Sequence, residues 1–426
     1  MSLLKSVLKH EVMPAMGCTE PVSVALAAAY ASSVVGGKVW RVAITMDAGT
    51  FKNGMNVAIP GAEGAIGIPI AAALGALCGN PKHGLSVLKD VTNADLEEAK
   101  KLLAEHQVAL TPDFSKPYLY IRVKVKTDKG EGIAKIVKGH TNLIELKKNG
   151  VSVKEKSGHK KGLTLDAYKK KIKTMTLEGL IQEVENATAA DLAYIEEGIE
   201  MNLEASRVGM KYKGYAAEVK KLQDMGEMKD GLFSQVKITV AAASDGRMSG
   251  MSLPVMSSGG SGNQGIVAIL VPYMWGQHYK IGRTRILRSI ALSHLINAYV
   301  KAFAGELSPI CQCAIAAGVG AAAACVYQKK KDIQLIKYAI DAVANDLGGM
   351  FCNGANMGCA IKVASSAHSA LSAAFSAADG YCVAGPNGII GVTAEETMQN
   401  LAEITSSGMG QTNQVILGIM KRQAAV

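Results

Sequence analysis

Residues 118–137 read Tyr-Leu-Tyr-Ile-Arg-Val-Lys-Val-Lys-Thr-Asp-Lys-Gly-Glu-Gly-Ile-Ala-Lys-Ile-Val. Apolar and charged side chains alternate through Ile121-Arg122-Val123-Lys124-Val125-Lys126, the period of a half-buried strand. Asp128-Lys129-Gly130 interrupts the pattern with turn residues, and Glu131–Val137 is strand-like again. The stretch predicts a hairpin, Tyr118–Thr127 against Glu131–Val137. Strands joined this tightly are antiparallel, because a parallel pair needs a long crossover.

Working outward, Val39–Met46 alternates like a strand, and residues 56–60 are a further candidate. Thr141–Lys147 and Val151–Lys156 suggest another hairpin across Asn149-Gly150. Between these lie helical patterns. Residues 2–13 are amphipathic up to Pro14, and the Ala-rich run 22–35 follows Pro21, which suits a first helical position. Gly61–Gly79 is helical in its second half, and Ala94–His106 follows Asn93 as a candidate N-cap. Beyond Leu163 the pattern changes. Residues 164–229 are charged and helical, Val236–Ala243 fits strand or helix, and 265–345, 360–379 and 394–422 read as successive apolar helices. The expected class is α+β: an N-terminal α/β part with a small, mostly antiparallel sheet, then a mainly α-helical C-terminal domain. The expected division is 1–175 and 176–426.

Composition narrows the class. Of 426 residues 49% are hydrophobic and 19% charged, which excludes a disordered chain. Aromatics are scarce at 5%, so cores must close through Ala, Gly and Met, as closely packed helices do. The longest apolar run, Cys313–Tyr327, is short of the roughly 20 residues that span a bilayer. The N-terminus has no signal-peptide core or cleavage site, so a cytoplasmic protein off the membrane is expected. The net charge is +10, with eight Lys against Glu155 and Asp166 between Lys154 and Lys173. That run has one aromatic and no Arg, so it reads as a solvated face and not as a nucleic-acid site.

Eight cysteines occupy 18, 78, 311, 313, 325, 352, 359 and 382. In a large cytoplasmic chain they are not a disulfide framework. Three segments stand out: Gly17-Cys18-Thr19-Glu20-Pro21, Ser308-Pro309-Ile310-Cys311-Gln312-Cys313, and Gly348 to Cys359. Cys18 precedes a helix, where the dipole favours a thiolate and a lowered pKa. Cys352 and Cys359 are seven apart, a spacing that fits either a metal site or buried structural thiols. Ser257 to Gly265, with four glycines, allows close backbone approach and an anion nest. Arg247 could clamp a carboxylate with two parallel bonds. Lys52-Asn53-Gly54 and Gly139-His140-Thr141-Asn142 follow strand-like runs, where sites and ordinary turns both occur. His294 sits in an apolar helical stretch, a buried position for a histidine. No Ser/His/Asp or HExxH signature appears.

Pro14 to Pro21, Lys52-Asn53-Gly54, Gly139 to Asn142, Ser257 to Gly265 and Cys352 to Cys359 together resemble the iron–sulfur L-cysteine desulfidases. That family is similar to the alpha chain of the iron–sulfur L-serine dehydratases, and the resemblance covers about residues 7–422. It implies a [4Fe–4S] cluster, no pyridoxal phosphate, and conversion of L-cysteine to pyruvate, ammonia and sulfide. It implies Cys311, Cys352 and Cys359 as cluster ligands. Cys18 falls on a motif cysteine that is either a ligand or an acid/base group. Cys18, Lys52, His140 and His294 are candidate bases, Cys18 first. Substrate contacts are expected from Thr19, Glu20, Asn53, Thr141, Asn142, Arg247, Ser261, Gly262, Asn263 and Gln264. Cys78, Cys313, Cys325 and Cys382 read as structural. The serine dehydratases have a longer interval between their last two cluster cysteines, which favours cysteine over serine here. The alternatives are a serine ammonia-lyase and a cluster-binding sensor. The partner expected is a small amino acid, and the Ala- and Gly-rich helices could pack within one chain or across a homodimer.

Overall fold

The computed structural model describes residues 2–153, 165–305, 308–383 and 385–424. Its strands are β1 (Pro14–Met16), β2 (Val39–Met46), β3 (Val108–Pro112), β4 (Tyr120–Thr127), β5 (Gly130–Val137), β6 (Leu143–Lys148), β7 (Val151–Ser152) and β8 (Pro254–Met256). The alternating stretch forms the middle of a six-stranded sheet ordered β3-β2-β4-β5-β6-β7. Val123 lies opposite Ala134, and every pairing is antiparallel except β2 with β3. The pleat divides the side chains. Ile121, Val123 and Val125 are buried, while Lys124–Glu131 and Lys135–Glu145 pair across strands on the other face.

The N-terminal helices are α1 (Leu3–Glu11), α2 (Thr19–Val35), α3 (Ala48–Gly54), α4 (Ile68–Cys78) and α5 (Asn93–Ala104). Helix α2 lies between the sheet and α4, so it is buried almost all round. Small residues permit this. A Cβ added at Gly75 would sit 2.2 Å from Ala25 O, and one at Gly132 would sit 1.9 Å from Ala31 O.

The second half is helical: α6 (Leu165–Ile172), α7 (Leu177–Glu185), α8 (Ala189–Gly209), α9 (Tyr215–Asp224), α10 (Leu232–Met248), α11 (Gly262–His278), α12 (Arg283–Ala304), α13 (Val319–Lys329), α14 (Ile333–Leu347), α15 (Cys359–Ala378), α16 (Ala394–Glu403) and α17 (Thr412–Ala424). Val236–Ala243 is thus helix, inside α10. The class is α+β, with the sheet in the first part and a mainly helical second part. The two large cores do not divide at one point in the sequence. Leu3, Leu4, Val7, Leu8 and Val12, with Tyr168 and Ile172, belong to the helical core, while Leu417 belongs to the sheet core. Strand β1 pairs with β8, Pro14 opposite Met256.

Several local expectations change. Residues 56–60 form no strand and make only a bridge from Ala58 to Ile66. The N-cap of α5 is Thr92, in a reciprocal capping box with Asp95, and Asn93 is the first helical residue. Cys18 is itself the N-cap of α2, which makes Pro21 the third residue of that helix. The 154–164 part of the Lys-rich run and the end of the 151–156 strand lie outside the described residues. No helix among the described residues is long and apolar enough to cross a membrane.

Candidate active site

The two cores meet where Cys18, Val57 and Met248 pack with Ala355 and Cys359. Beside this contact is a cavity of about 90 Å³. Several helices begin at it. Cys18 caps α2, Ser261 caps α11, Cys359 opens α15, and Cys313 opens a wide π-type turn, Cys313–Gly318, that runs into α13. Neither Cys18 nor Ser261 caps its helix with a side-chain bond. At the starts of α2 and α11 the uncapped first turn and the positive end of the helix dipole are therefore left to the cavity, an environment that favours anions.

Backbone pairing brings the thiols together. Ile310 bridges Phe351, Cys311 N donates to Met350 O at 2.7 Å, and Cys352 N donates to Pro309 O at 2.7 Å. Gly354, at φ +90°, lets the next turn lie on α3, where a Cβ would meet Lys52 O at 2.4 Å. Cys311, Cys313, Cys352 and Cys359 all line the cavity. The neighbouring Cys313 side chain, against burial, brings Cys311 down to about 6. Burial pushes Cys359 up to about 12 and raises Cys352. Among the described residues no three His, Cys, Asp or Glu side chains stand close enough for a single ion. A cubane cluster holds its thiolates farther apart than one ion does, and soft sulfur donors suit iron–sulfur clusters. The four thiols fit such a group.

Much of the remaining lining is polar. Thr19, Glu20, Asn53, Arg247, Ser261, Asn263 and Gln264 belong to it, with Ser308 and Gln312. Arg247 is buried near the end of α10, donates from Nη1 to Asn263 Oδ1 at 2.8 Å, and bonds Gly17 O through Nη2. Gly262 makes room for it, since a Cβ there would lie 2.4 Å from Arg247 Nε. Arg247 Nε, Asn53 Oδ1, Gln264 Oε1 and Gln312 Oε1 are buried without a hydrogen-bond partner among the described residues. Orphaned polar atoms of this kind cost free energy unless a ligand or water meets them.

Glu20 is the hub of the acid/base groups. It accepts from Cys18 Sγ at 2.9 Å, Thr19 Oγ1 at 3.1 Å, Asn53 Nδ2 at 2.9 Å and Tyr118 OH at 3.3 Å. His140 Nε2 is 3.2 Å from Tyr118 OH and 3.9 Å from Glu20 Oε1. Burial raises the Glu20 pKa, but His140, Cys18 and Asn53 more than offset it and hold the carboxyl well below its usual range. Cys18 goes the other way. Burial, then the Glu20 charge, push its thiol well above the usual value, which corrects the lowered pKa expected at a helix start.

Other expected residues lie off the lining. The Lys52 ammonium donates to Cys352 O at 3.0 Å and Asn413 Oδ1 at 2.8 Å, so it braces the cysteine loop; burial lowers its pKa. Thr141 and Asn142 are exposed in the β5–β6 turn, and Asn142 Nδ2 donates to Val137 O. His294 is buried beneath the Gly-rich turn, 2.8 Å from Ser258 Oγ, and burial takes it down to about 3. That turn is no anion nest. Gly259 and Gly260, at φ +55° and +68°, close a two-residue hairpin between Ser258 and Ser261, and Gly260 N donates to Glu11 O. The N–H groups that face the cavity belong to the first turn of α11 instead. Sequence reasoning missed Cys313, Gln312, Ser308, Tyr118 and Asn413 as members of the site region. The Cys-Gln-Cys run was a signal for the first two, but residues two apart on a helix point apart. Here Cys311 precedes the helical turn, so both thiols face inward.

Fold and cleft define a class: a helix-rich α+β protein in which one group of thiols and a set of polar side chains line a shared cavity. The chain belongs to the serine dehydratase alpha chain family, whose model matches residues 82–418. It is 45% identical to a UPF0597 protein of Elusimicrobium minutum, over 99% of this chain and 100% of the relative. It is 41% identical to a UPF0597 protein of Geobacter sulfurreducens, over 99% and 98%. A UPF0597 protein of Clostridium tetani is 37% identical, over 98% of each chain.

Proposed function

We propose that the protein is a [4Fe–4S]-dependent, pyridoxal-phosphate-independent lyase that converts L-cysteine and water to pyruvate, ammonia and hydrogen sulfide. One observation carries this: Cys311, Cys352 and Cys359 share a single cavity with the polar side chains of Arg247 and Glu20. Those three thiols hold the cluster, which when bound supplies a Lewis acid for the leaving sulfur. Arg247 and the uncapped first turn of α11 take the substrate carboxylate. Asn53 Oδ1 and Gln264 Oε1, both unpaired acceptors, take its ammonium. Held this way, the carboxylate delocalises charge as the Cα proton leaves, and the α11 N–H groups stabilise it. Cys18 is placed to receive that proton once its own thiol is deprotonated, a state that the Arg247 charge and the uncapped start of α2 favour. The C–S bond breaks, the enamine becomes an imine, and water hydrolyses it to pyruvate and ammonia.

Serine is the second reading, favoured by the family description. The seven-residue step from Cys352 to Cys359 favours cysteine. The test is anaerobic reconstitution with iron and sulfide, followed by assay of sulfide and pyruvate from cysteine and of pyruvate from serine. Equal yields of sulfide and pyruvate, only in cluster-loaded protein, are expected. A higher kcat/KM on serine overturns the choice of substrate, and loaded protein without turnover overturns the lyase.

A further inference from the structure

Two lysines hold the cysteine loop, and Lys52 is only one of them. Lys362 lies nearly one turn beyond Cys359 on α15, on the same side of that helix. Its ammonium donates to Phe351 O at 2.6 Å and to Asn353 Oδ1 at 2.7 Å, so it grips the residues on either side of Cys352. An ammonium can only donate, which also fixes the end of the Asn353 amide that faces it. One side chain thus ties the loop that carries Cys352 to the helix that starts with Cys359. Both partners are neutral oxygens, and Lys362 makes no ion pair among the described residues. A positive charge therefore sits beside Cys352 with no carboxylate to answer it. Lys362 is not part of the lining of the thiol cavity. It lines, with Phe351, Asn353 and Val415, a separate groove between the loop and α17. It acts on the site through the loop, as a positioning residue.

We propose that Lys362 fixes the interval between Cys352 and Cys359 and balances part of the negative charge of the loaded site. A cubane held by thiolates is anionic, and its potential follows net charge and the hydrogen bonds around it. A cation this near a ligand favours the reduced cluster, which carries one more electron. The first role concerns the chain alone. The second rests on the cluster reading above.

The test compares wild type with Lys362→Met, which keeps the stem and removes the charge, and Lys362→Arg, which keeps the charge. In cluster-free protein the readout is amide hydrogen exchange across 348–358, where Cys352 N–H is bonded to Pro309 O. Lys362→Met should exchange there about tenfold faster than wild type, with α13 unchanged as the internal control. In anaerobically reconstituted protein, Lys362→Met should lose iron to a chelator about tenfold faster and reduce at a more negative potential. Lys362→Arg should keep the wild-type potential. Loop exchange equal to wild type overturns the positioning role, and so does exchange that quickens equally in α13. A potential unchanged in Lys362→Met, or shifted as far in Lys362→Arg, overturns the charge role. Wild-type protein that takes up no iron overturns the cluster reading and the charge role with it, while the exchange of cluster-free protein decides the positioning role separately.

Discussion

A carboxylate as deeply buried as Glu20 stays ionised only because donors surround it. Its folded pKa lies below the ordinary 4.5, so its contribution to stability is complete above that pH and is lost as the pH falls toward the lower folded value. Glu20→Gln removes this dependence. The stability gap between wild type and variant should narrow by about 1.4 kcal/mol per pH unit below pH 4.5. Denaturant unfolding from about pH 5 to about pH 3 checks this, and a constant gap would show that Glu20 titrates normally. Arg247 gives a second prediction at this scale. Arg247→Ala should raise KM for L-cysteine by roughly 10- to 100-fold, as expected for one buried charged hydrogen-bonding partner worth about 1.5–3 kcal/mol. Arg247→Lys should recover little, because an ammonium lacks the planar fork. An unchanged KM removes Arg247 from the substrate site.

At the scale of elements, helix crossings depend on the absence of side chains. Gly75→Ala would push a methyl group into Ala25 O where α2 and α4 cross. A loss of about 1–3 kcal/mol is expected, read as a lower midpoint in thermal unfolding. A midpoint equal to that of wild type would mean the crossing can open. Elements of this kind were legible in the sequence where a period was strong. The β4–β5 hairpin could be read from alternation and turn residues, and the paired antiparallel strands follow from it. The ends of elements were less legible, because Thr92 and Asn93 are both good caps and only the Asp95 bond decides between them. The site was legible as motifs, since Cys18, Glu20, Asn53, Arg247, Asn263 and the cysteines meet at one cavity. Its internal roles were not. Whether Lys52 points into the cleft or braces it, and whether Cys313 lines the cavity with Cys311, depend on long-range packing that no local period records.

At the scale of the whole molecule, the far C-terminus helps hold the cysteine loop. Asn413, on α17, accepts from Lys52, which in turn holds the Cys352 carbonyl. Asn413→Ala should leave the fold intact and make Cys352 alkylate several-fold faster in cluster-free protein, with Cys325 as the unreactive internal standard. Mass spectrometry after timed alkylation measures both. Equal rates for wild type and variant at Cys352 would mean that α17 does not support the loop.

The pairing of Pro14 with Met256, and the packing of α1 into the helical core, also set a schedule for the chain's synthesis. At about 5–20 residues per second, the partner of β1 leaves the ribosome roughly 10 to 50 seconds after β1 itself. Residues 3–16 are thus among the last to be placed although they are made well before their partners, and an amphipathic helix waits through most of translation for its core. Nascent chains stalled before residue 254 should be cut by protease within their first 16 residues, and released full-length chains should resist.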